Sequence, residues 1–233
     1  MNRAVGLAAG AVLAVLGACT GDLDPPWQLD HDRIIAVRAT PPGIAAGGTS
    51  AIDALLGMKG GKTHVAPPEL ARVVSPASLS DVLSFQAGAW VVTAPGEARL
   101  AAARAELKLA ADAPVPVQVG VSYAGQTLFA TKTIELGRPA DNPALVNVML
   151  DGVPAGPSEI IVGKLVKVPL SIDADDTDFD VTWLTSCGTM HDFDLPNAYL
   201  EIEADDPEAG ELAVVLRDAR AGVAWNVWSI RAE

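Results

Sequence analysis

Apolar and polar residues alternate one by one through most of this chain. In VPVQVGVSY, Val115, Val117, Val119, Val121 and Tyr123 share one parity, the mark of a strand with one buried face. Ala124-Gly125-Gln126 supplies a turn, and TLFATKTIELG returns with Leu128, Ala130, Ile134 and Leu136 in phase. Two such runs joined by a short turn predict a β-hairpin. RIIAVRAT, closed by Pro41-Pro42-Gly43, and TSAIDALLG, closed by Gly57 and a Gly/Lys-rich loop, read as earlier strands. The stretch from Asp81 to Thr93, which contains Trp90, reads as strand too. PGEARLAAARAELKLAAD breaks the rule: Leu100, Ala103 and Leu107 recur at helical spacing, Pro95 precedes them and Glu97 sits in the first turn. It predicts one inserted helix from about Glu97 to Ala110.

GRPADNPAL, from Gly137 to Leu145, carries no apolar period and is rich in Pro, Gly, Asn and Asp. It marks a boundary between one domain over 32–137 and a second over 138–233. Beyond it ALVNVMLDG, KLVKVPLSID, FDVTWLTSC, AYLEIEAD, ELAVVLRD and GVAWNVWSIRA form a second series of strands separated by turn residues. That spacing predicts a β-sandwich. The expected fold class is therefore all-β, two sandwiches in tandem, the first with one helix.

The first residues, MNRAVGLAAGAVLAVLGACTG, follow a different logic. Arg3 is basic, Val5 to Leu16 is apolar, and Gly17 and Ala18 are small. This is the layout of an export signal over 1–18, and the run is too short to span a bilayer. Leu16-Gly17-Ala18-Cys19 resembles the lipobox of bacterial lipoproteins. The resemblance implies a diacylglyceryl group on Cys19, cleavage before it and acylation, palmitate included, of the new amine. Several acyl chains hold a protein at a membrane where one binds only marginally. Thr20 stands where that family's inner-membrane retention signal is Asp, which implies the outer membrane, on its periplasmic or its cell-surface face. Residues 19–31 then read as the lipidated Cys and a polar tether with Pro25-Pro26.

The second half carries another resemblance. LSIDADDTDFDVTWLTSCGT and GELAVVLRDARAGVAWNVWSIRA look like the immunoglobulin-like modules of bacterial surface proteins, the polycystic-kidney-disease-like and cadherin-like types. Trp183 fills the aromatic position, Gly188 the glycine and Asp218 the turn aspartate, over Leu170 to Ala232. The first half resembles such a module more weakly. The whole chain also resembles uncharacterised lipoproteins of high-GC Gram-negative bacteria.

Charge narrows the partners. Among the 233 residues, 16 Lys and Arg face 29 Asp and Glu, a net charge of −13, and loss of Arg3 with the signal deepens it. No basic tract is present, which argues against nucleic acid. Anionic head groups would repel such a body, so the lipid must do the anchoring. With Cys19 lipidated, the second cysteine, Cys187, has no partner for an intramolecular disulfide, and a hydrophobic core must hold the fold.

Four places could carry chemistry. SCGTMHDFD gathers Cys187, Met190 and His191, but Phe179, Val181, Trp183, Thr185 and Cys187 share a parity that should face the core. Cys187 is thus expected to be buried, and Cys-x₃-His is half a zinc site. DADDTDFD supplies Asp173, Asp175, Asp176, Asp178 and Asp180. It reads first as a solvated acidic loop and second as a Ca²⁺ site, since hard cations take clustered carboxylates and related surface modules bind Ca²⁺ there. GMKGGKTH imitates a phosphate loop, yet Leu56 replaces the first glycine and Pro67-Pro68 would stop the helix. In the last strand, Trp225 shares a parity with Val223 and Val227, and Trp228 one with Ile230. One Trp should enter the core. The other, with Trp228 the candidate, would be an exposed aromatic for a partner or a carbohydrate, unless a neighbouring element covers both faces. No G-x-S-x-G and no H-E-x-x-H occurs.

The expectation is a non-catalytic, lipid-anchored envelope protein serving as a structural or interaction module, an accessory subunit with an envelope protein partner. It needs no cofactor, with calcium as the candidate exception. A calcium- or carbohydrate-binding surface protein is the first alternative; an envelope enzyme using Cys187 or His191 is the second.

Overall fold

The structure is a computed structural model that describes residues 25–157, 159–173 and 179–233. Cys19 and the export signal lie outside the described residues. No helix among the described residues is long and apolar enough to cross a membrane.

The first unit contains β1 (Arg33–Thr40), β2 (Gly43–Ile44), β3 (Thr49–Met58), β4 (Lys62–Ala66), β5 (Leu70–Ser75), β6 (Leu83–Gln86), β7 (Ala89–Thr93), β8 (Val115–Tyr123) and β9 (Leu128–Leu136), with helix α1 (Glu97–Glu106) between β7 and β8. The second contains β10 (Val146–Leu150), β11 (Val153–Pro154), β12 (Ile160–Val162), β13 (Lys167–Asp173), β14 (Phe179–Thr185), β15 (Thr189–His191), β16 (Asn197–Glu201), β17 (Ala209–Asp218) and β18 (Val223–Ala232). The fold is all-β, as the alternation predicts.

Strand order defines the class. The first unit packs a β1-β3-β7-β6 sheet, with β4 added to β3, against a β2-β9-β8-β5 sheet. The second packs β11-β10-β13-β16-β15 against β12-β18-β17-β14. In each unit the opening strand is split. Its first part pairs antiparallel with the next long strand, as β1 does with β3 and β10 with β13. Its second part crosses to the other sheet and runs parallel to the last strand, as β2 does with β9 and β12 with β18. Both units are therefore immunoglobulin-like sandwiches in tandem. In the first unit the crossing falls at Pro41-Pro42, where the missing N–H groups end the β1 ladder.

Alternation fills two cores. Val115, Val117, Val119, Val121 and Tyr123 of β8 all point into the first. Trp183, Leu200, Ile202, Leu212 and Val214 centre the second, and Trp183 Nε1 donates to the Leu195 carbonyl at 3.1 Å. A third cluster joins the units. Ala36 and Leu55 from the first meet Leu184, Ala213, Val215 and Val223 from the second, and all six are buried. This explains why ELAVVLRD and AIDALLG do not alternate: both faces of β17 and of β3 are covered, and such strands read as continuous apolar runs.

Polar links close the same seam. Thr63 donates through its amide and its hydroxyl to Glu211, each at 2.8 Å. Arg217 Nη2 donates to the Ile35 carbonyl at 2.8 Å. Asn142, between the units, donates to the Ala39 carbonyl and accepts from the Val223 amide. The Arg38 guanidinium lies 3.9 Å from the centre of the Trp225 ring and pairs with Asp53. The tether expected over 19–31 is shortened at its far end. Trp27 packs on the second core and Leu29 is fully buried in the seam. The Thr185 amide donates to the Trp27 carbonyl and the Leu29 amide to the Thr185 carbonyl, each at 2.9 Å. Prolines and aspartates gave this segment a linker's composition, but two apolar side chains two residues apart decide its placement.

Lys132 adds a buried lysine to the seam. It belongs to β9, is 5% exposed, and donates from Nζ to the Ala221 carbonyl of the second unit. Burial pushes its pKa down to about 8, against the raising effects of Asp218 and Asp53 and with that of Arg217. An unfolded lysine titrates near 10.4. Between about pH 8 and 10.4 the unfolded chain therefore binds the extra proton, and stability attributable to Lys132 rises with pH across that window. Lys132→Met should lack this rise, so wild type should gain on the variant by up to about 3 kcal/mol between pH 8 and 10.4. Chemical denaturation of both proteins at several pH values measures it, and parallel pH profiles would refute it.

Candidate functional site

Domain docking covers β17 and the adjoining parts of β14 and β18 on the outward face of the second unit with the β1–β3 face of the first, leaving Ile161, Ser229 and Arg231 exposed. The outward face of β5, β8 and β9 is left open. Three antiparallel strands set its rows: Leu70, Ser122 and Phe129 lie side by side, and Arg72, Gly120 and Thr131 form the next row. The middle strand contributes small side chains and the flanking strands large ones, so the face is a trough floored by β8. A register shift between Val73 and Ser75 leans Val74 over Gly120, where an added Cβ would meet Val74 Cγ2 at 3.1 Å. The trough encloses about 420 Å³.

Its chemistry is mixed. Phe129 is 72% exposed, Val74 54% and Leu70 47%. Ser122 in the floor is 3% exposed, and its hydroxyl has no hydrogen-bond partner among the described residues. Arg72 on the rim is exposed and makes no ion pair or hydrogen bond among the described residues. On the face itself Glu135 sits opposite Pro116, two rows beyond Gly120, while Asp180 and Asp218 of the second unit share a neighbouring cleft with Phe129 and Thr131. Arrays like this, with apolar walls and a few unsatisfied polar groups, bind ligands or partners.

The residues singled out by sequence do not assemble into one site. Cys187 is fully buried beside Trp183 and Met190, and its thiol donates to the Pro207 carbonyl. Burial raises its pKa first and Asp206 adds to the rise, so the group stays a thiol and a poor nucleophile at neutral pH. His191 turns away from that core and stacks on Tyr199 at 4.4 Å between ring centres, with Nε2 3.5 Å from Glu201. Gly188 makes the bend between Cys187 and the short strand β15.

Of the acidic run, Asp175, Asp176 and Asp178 lie outside the described residues. Asp173 accepts from Asn147 Nδ2 at 2.9 Å, and Asp180 is exposed with its charge acting on Arg217. Among the described residues no three or more His, Cys, Asp or Glu side chains gather as metal ligands.

Trp228 is corrected from an exposed binding aromatic to a core residue. It is 4% exposed, and Nε1 donates to the Gly156 carbonyl at 3.0 Å. The neighbouring unit covers the other parity over Val223, Trp225 and Val227, so Trp225 lies half-buried under Arg38. GMKGGKTH forms the β3–β4 turn. Gly61 there has φ +76° and abuts Ser186 of the second unit, where a Cβ would fall 2.6 Å from Ser186 Cβ. The phosphate-loop likeness is a docking contact between domains.

The trough was missed by sequence, although one signal was present. Phe129 is out of phase with Leu128, Ala130, Ile134 and Leu136, so the hairpin register already sends it outward.

No protein-family model matches the chain, and no curated protein does. Solved structures superpose loosely. The titin domains Z1Z2 in complex with telethonin match at 15% identity and TM-score 0.25, over 88% of this chain and 98% of that one. The tandem Ig repeats of Dlar match at 13% identity and TM-score 0.28, over 87% and 97%. A nucleoside hydrolase-related hypothetical protein from Saccharophagus degradans matches at 13% identity and TM-score 0.32; the match takes in 40% of this chain and about a quarter (26%) of that protein. The class assigned here follows from strand order and register.

Proposed function

We propose that this chain is a non-catalytic interaction module of the bacterial cell envelope, anchored in the outer membrane by lipid on Cys19, and an accessory subunit of an assembly there. The observation that carries the interaction reading is the open trough on a body whose two sandwiches are locked by a shared core. Such a body presents one fixed surface, and ordering costs on binding are small. The lipobox-like sequence before Cys19 supports the anchor. The burial of Cys187 and the stacking of His191 on Tyr199 support a role without a nucleophile.

The test is purification of the intact chain from gently solubilised outer membranes, with the stoichiometry of whatever accompanies it. One partner at a fixed ratio, lost from a Phe129→Ser variant of unchanged stability, is the expected result. A clean monomer, or a Cys19→Ser product with unchanged membrane retention and no acyl label on the wild type, would overturn the proposal.

A further inference from the structure

The trough's chemistry selects its occupant. We infer that it receives a protruding segment of a partner protein in which an aliphatic side chain stands beside a carboxylate. The inference rests on the interaction-module reading and names the partner's chemistry.

Three features carry it. The walls formed by Leu70, Val74 and Phe129 are apolar and exposed, and water gains by leaving them when an apolar side chain enters. The Arg72 guanidinium stands beside Gly120 with no counter-charge among the described residues. On a chain of net charge −13, an unpaired cation over an apolar trough is complementary to an acidic ligand. The third feature points inward. The Ser122 hydroxyl is buried in the floor without a partner among the described residues, whereas buried polar groups are nearly always paired. A hydroxyl offers one donor and two acceptor lone pairs, so a carbonyl or carboxylate oxygen lowered into the trough would satisfy it.

A second copy of this chain is a poor occupant by the same face. Two such troughs set face to face bring concavity to concavity and guanidinium toward guanidinium.

The experiment titrates isotope-labelled full-length chain in detergent with two probes, acetyl-Gly-Leu-Asp-Leu-Gly-amide and its Asn counterpart, and follows backbone amide shifts. The expected result is perturbation centred on Gly120, Ser122 and Thr131. The Asp peptide should bind about fivefold more tightly than the Asn peptide at low salt. Arg72→Gln should abolish that difference. Ser122→Ala and Phe129→Ala should weaken both peptides, and both substitutions sit on the outer face, away from the core.

Equal affinity for the two peptides, or perturbation elsewhere, overturns the acidic preference. Absence of binding by either peptide overturns the occupant. A partner that still co-purifies at fixed ratio with the Arg72→Gln and Phe129→Ala variants would leave the interaction-module reading standing while sinking this one. Self-association of the full chain that Phe129→Ala dissolves would show a second copy in the trough and overturn it equally.

Discussion

Ala213→Glu should part the two sandwiches while leaving each folded. Ala213 is fully buried, lies opposite Leu184 and Val227, and belongs to the shared cluster between the units. A glutamate there has no cation across the strands and adds volume where none is free. An unpaired buried charge costs about 3–5 kcal/mol, and overpacking adds about 1–3 kcal/mol. The cheapest escape is to open the seam, because neither inner core contains this side chain. Scattering should show a larger radius of gyration, and thermal unfolding should separate into two transitions, with the far-ultraviolet dichroism nearly unchanged at low temperature.

Leu212→Glu is the matched control. One residue earlier on β17, Leu212 faces the second core and is 1% exposed. That substitution should unfold the second sandwich outright. If both variants behaved alike, either the period-two assignment of β17 or the existence of a separable seam would be wrong.

The same strand shows how far the sequence could be read. Where one face of a strand meets solvent, alternation announced the strand, its register and its core residues; VPVQVGVSY is the clearest case, with all five odd-position side chains buried. Where a second sandwich covers the outer face, as on β17 and the first half of β18, apolar residues occur on both parities. The sequence then signals burial without saying what does the covering. Trp228 departs from expectation for that reason: period two puts Trp225 and Trp228 on opposite faces, but a covering domain leaves no local mark. Leu29 and Gly61 look like tether and loop in sequence for the same cause, since each is explained only by a residue far away in the chain, Thr185 and Ser186.

The helix was legible because Ala-rich spacing and an N-terminal glutamate are local. Its end was not. Leu107 caps the last turn three residues short of the expected end, and Lys108 has φ +56°. The trough was half legible. Phe129 could be sent outward from register alone, whereas the neighbourhood of Arg72, Ser122 and Phe129 depends on β5 pairing with β8, as in Leu70 with Ser122 and Arg72 with Gly120, far apart in sequence.

Gly188→Ala should be among the most destabilising small substitutions in the chain, and it shows what SCGTMHDFD is for. Gly188 has φ +83°, and a Cβ there would lie 2.5 Å from the Glu201 carbonyl oxygen and 2.8 Å from Ile202 Cγ1. Both neighbours are fixed, the first by the β15–β16 ladder and the second by full burial. Gly88, in the β6–β7 turn, has φ +84° with nothing within 4 Å of the same added atom. Gly88→Ala therefore isolates the cost of the left-handed backbone, about 1 kcal/mol. Gly188→Ala adds displacement of backbone and core, for a total of about 3 kcal/mol or more.

Cys187 adjoins the site and reports on it. A buried thiol reacts only when the surrounding structure opens. An excess of about 2 kcal/mol over Gly88→Ala should speed its labelling roughly 30-fold. Equal labelling of the two alanine variants would mean that the Gly188 bend yields without disturbing the core. The stretch would then be a loose loop, free to bring Cys187 and His191 together. A large difference would make it a tight structural corner, with its glycine there to clear Glu201 and its cysteine there to fill space beside Trp183.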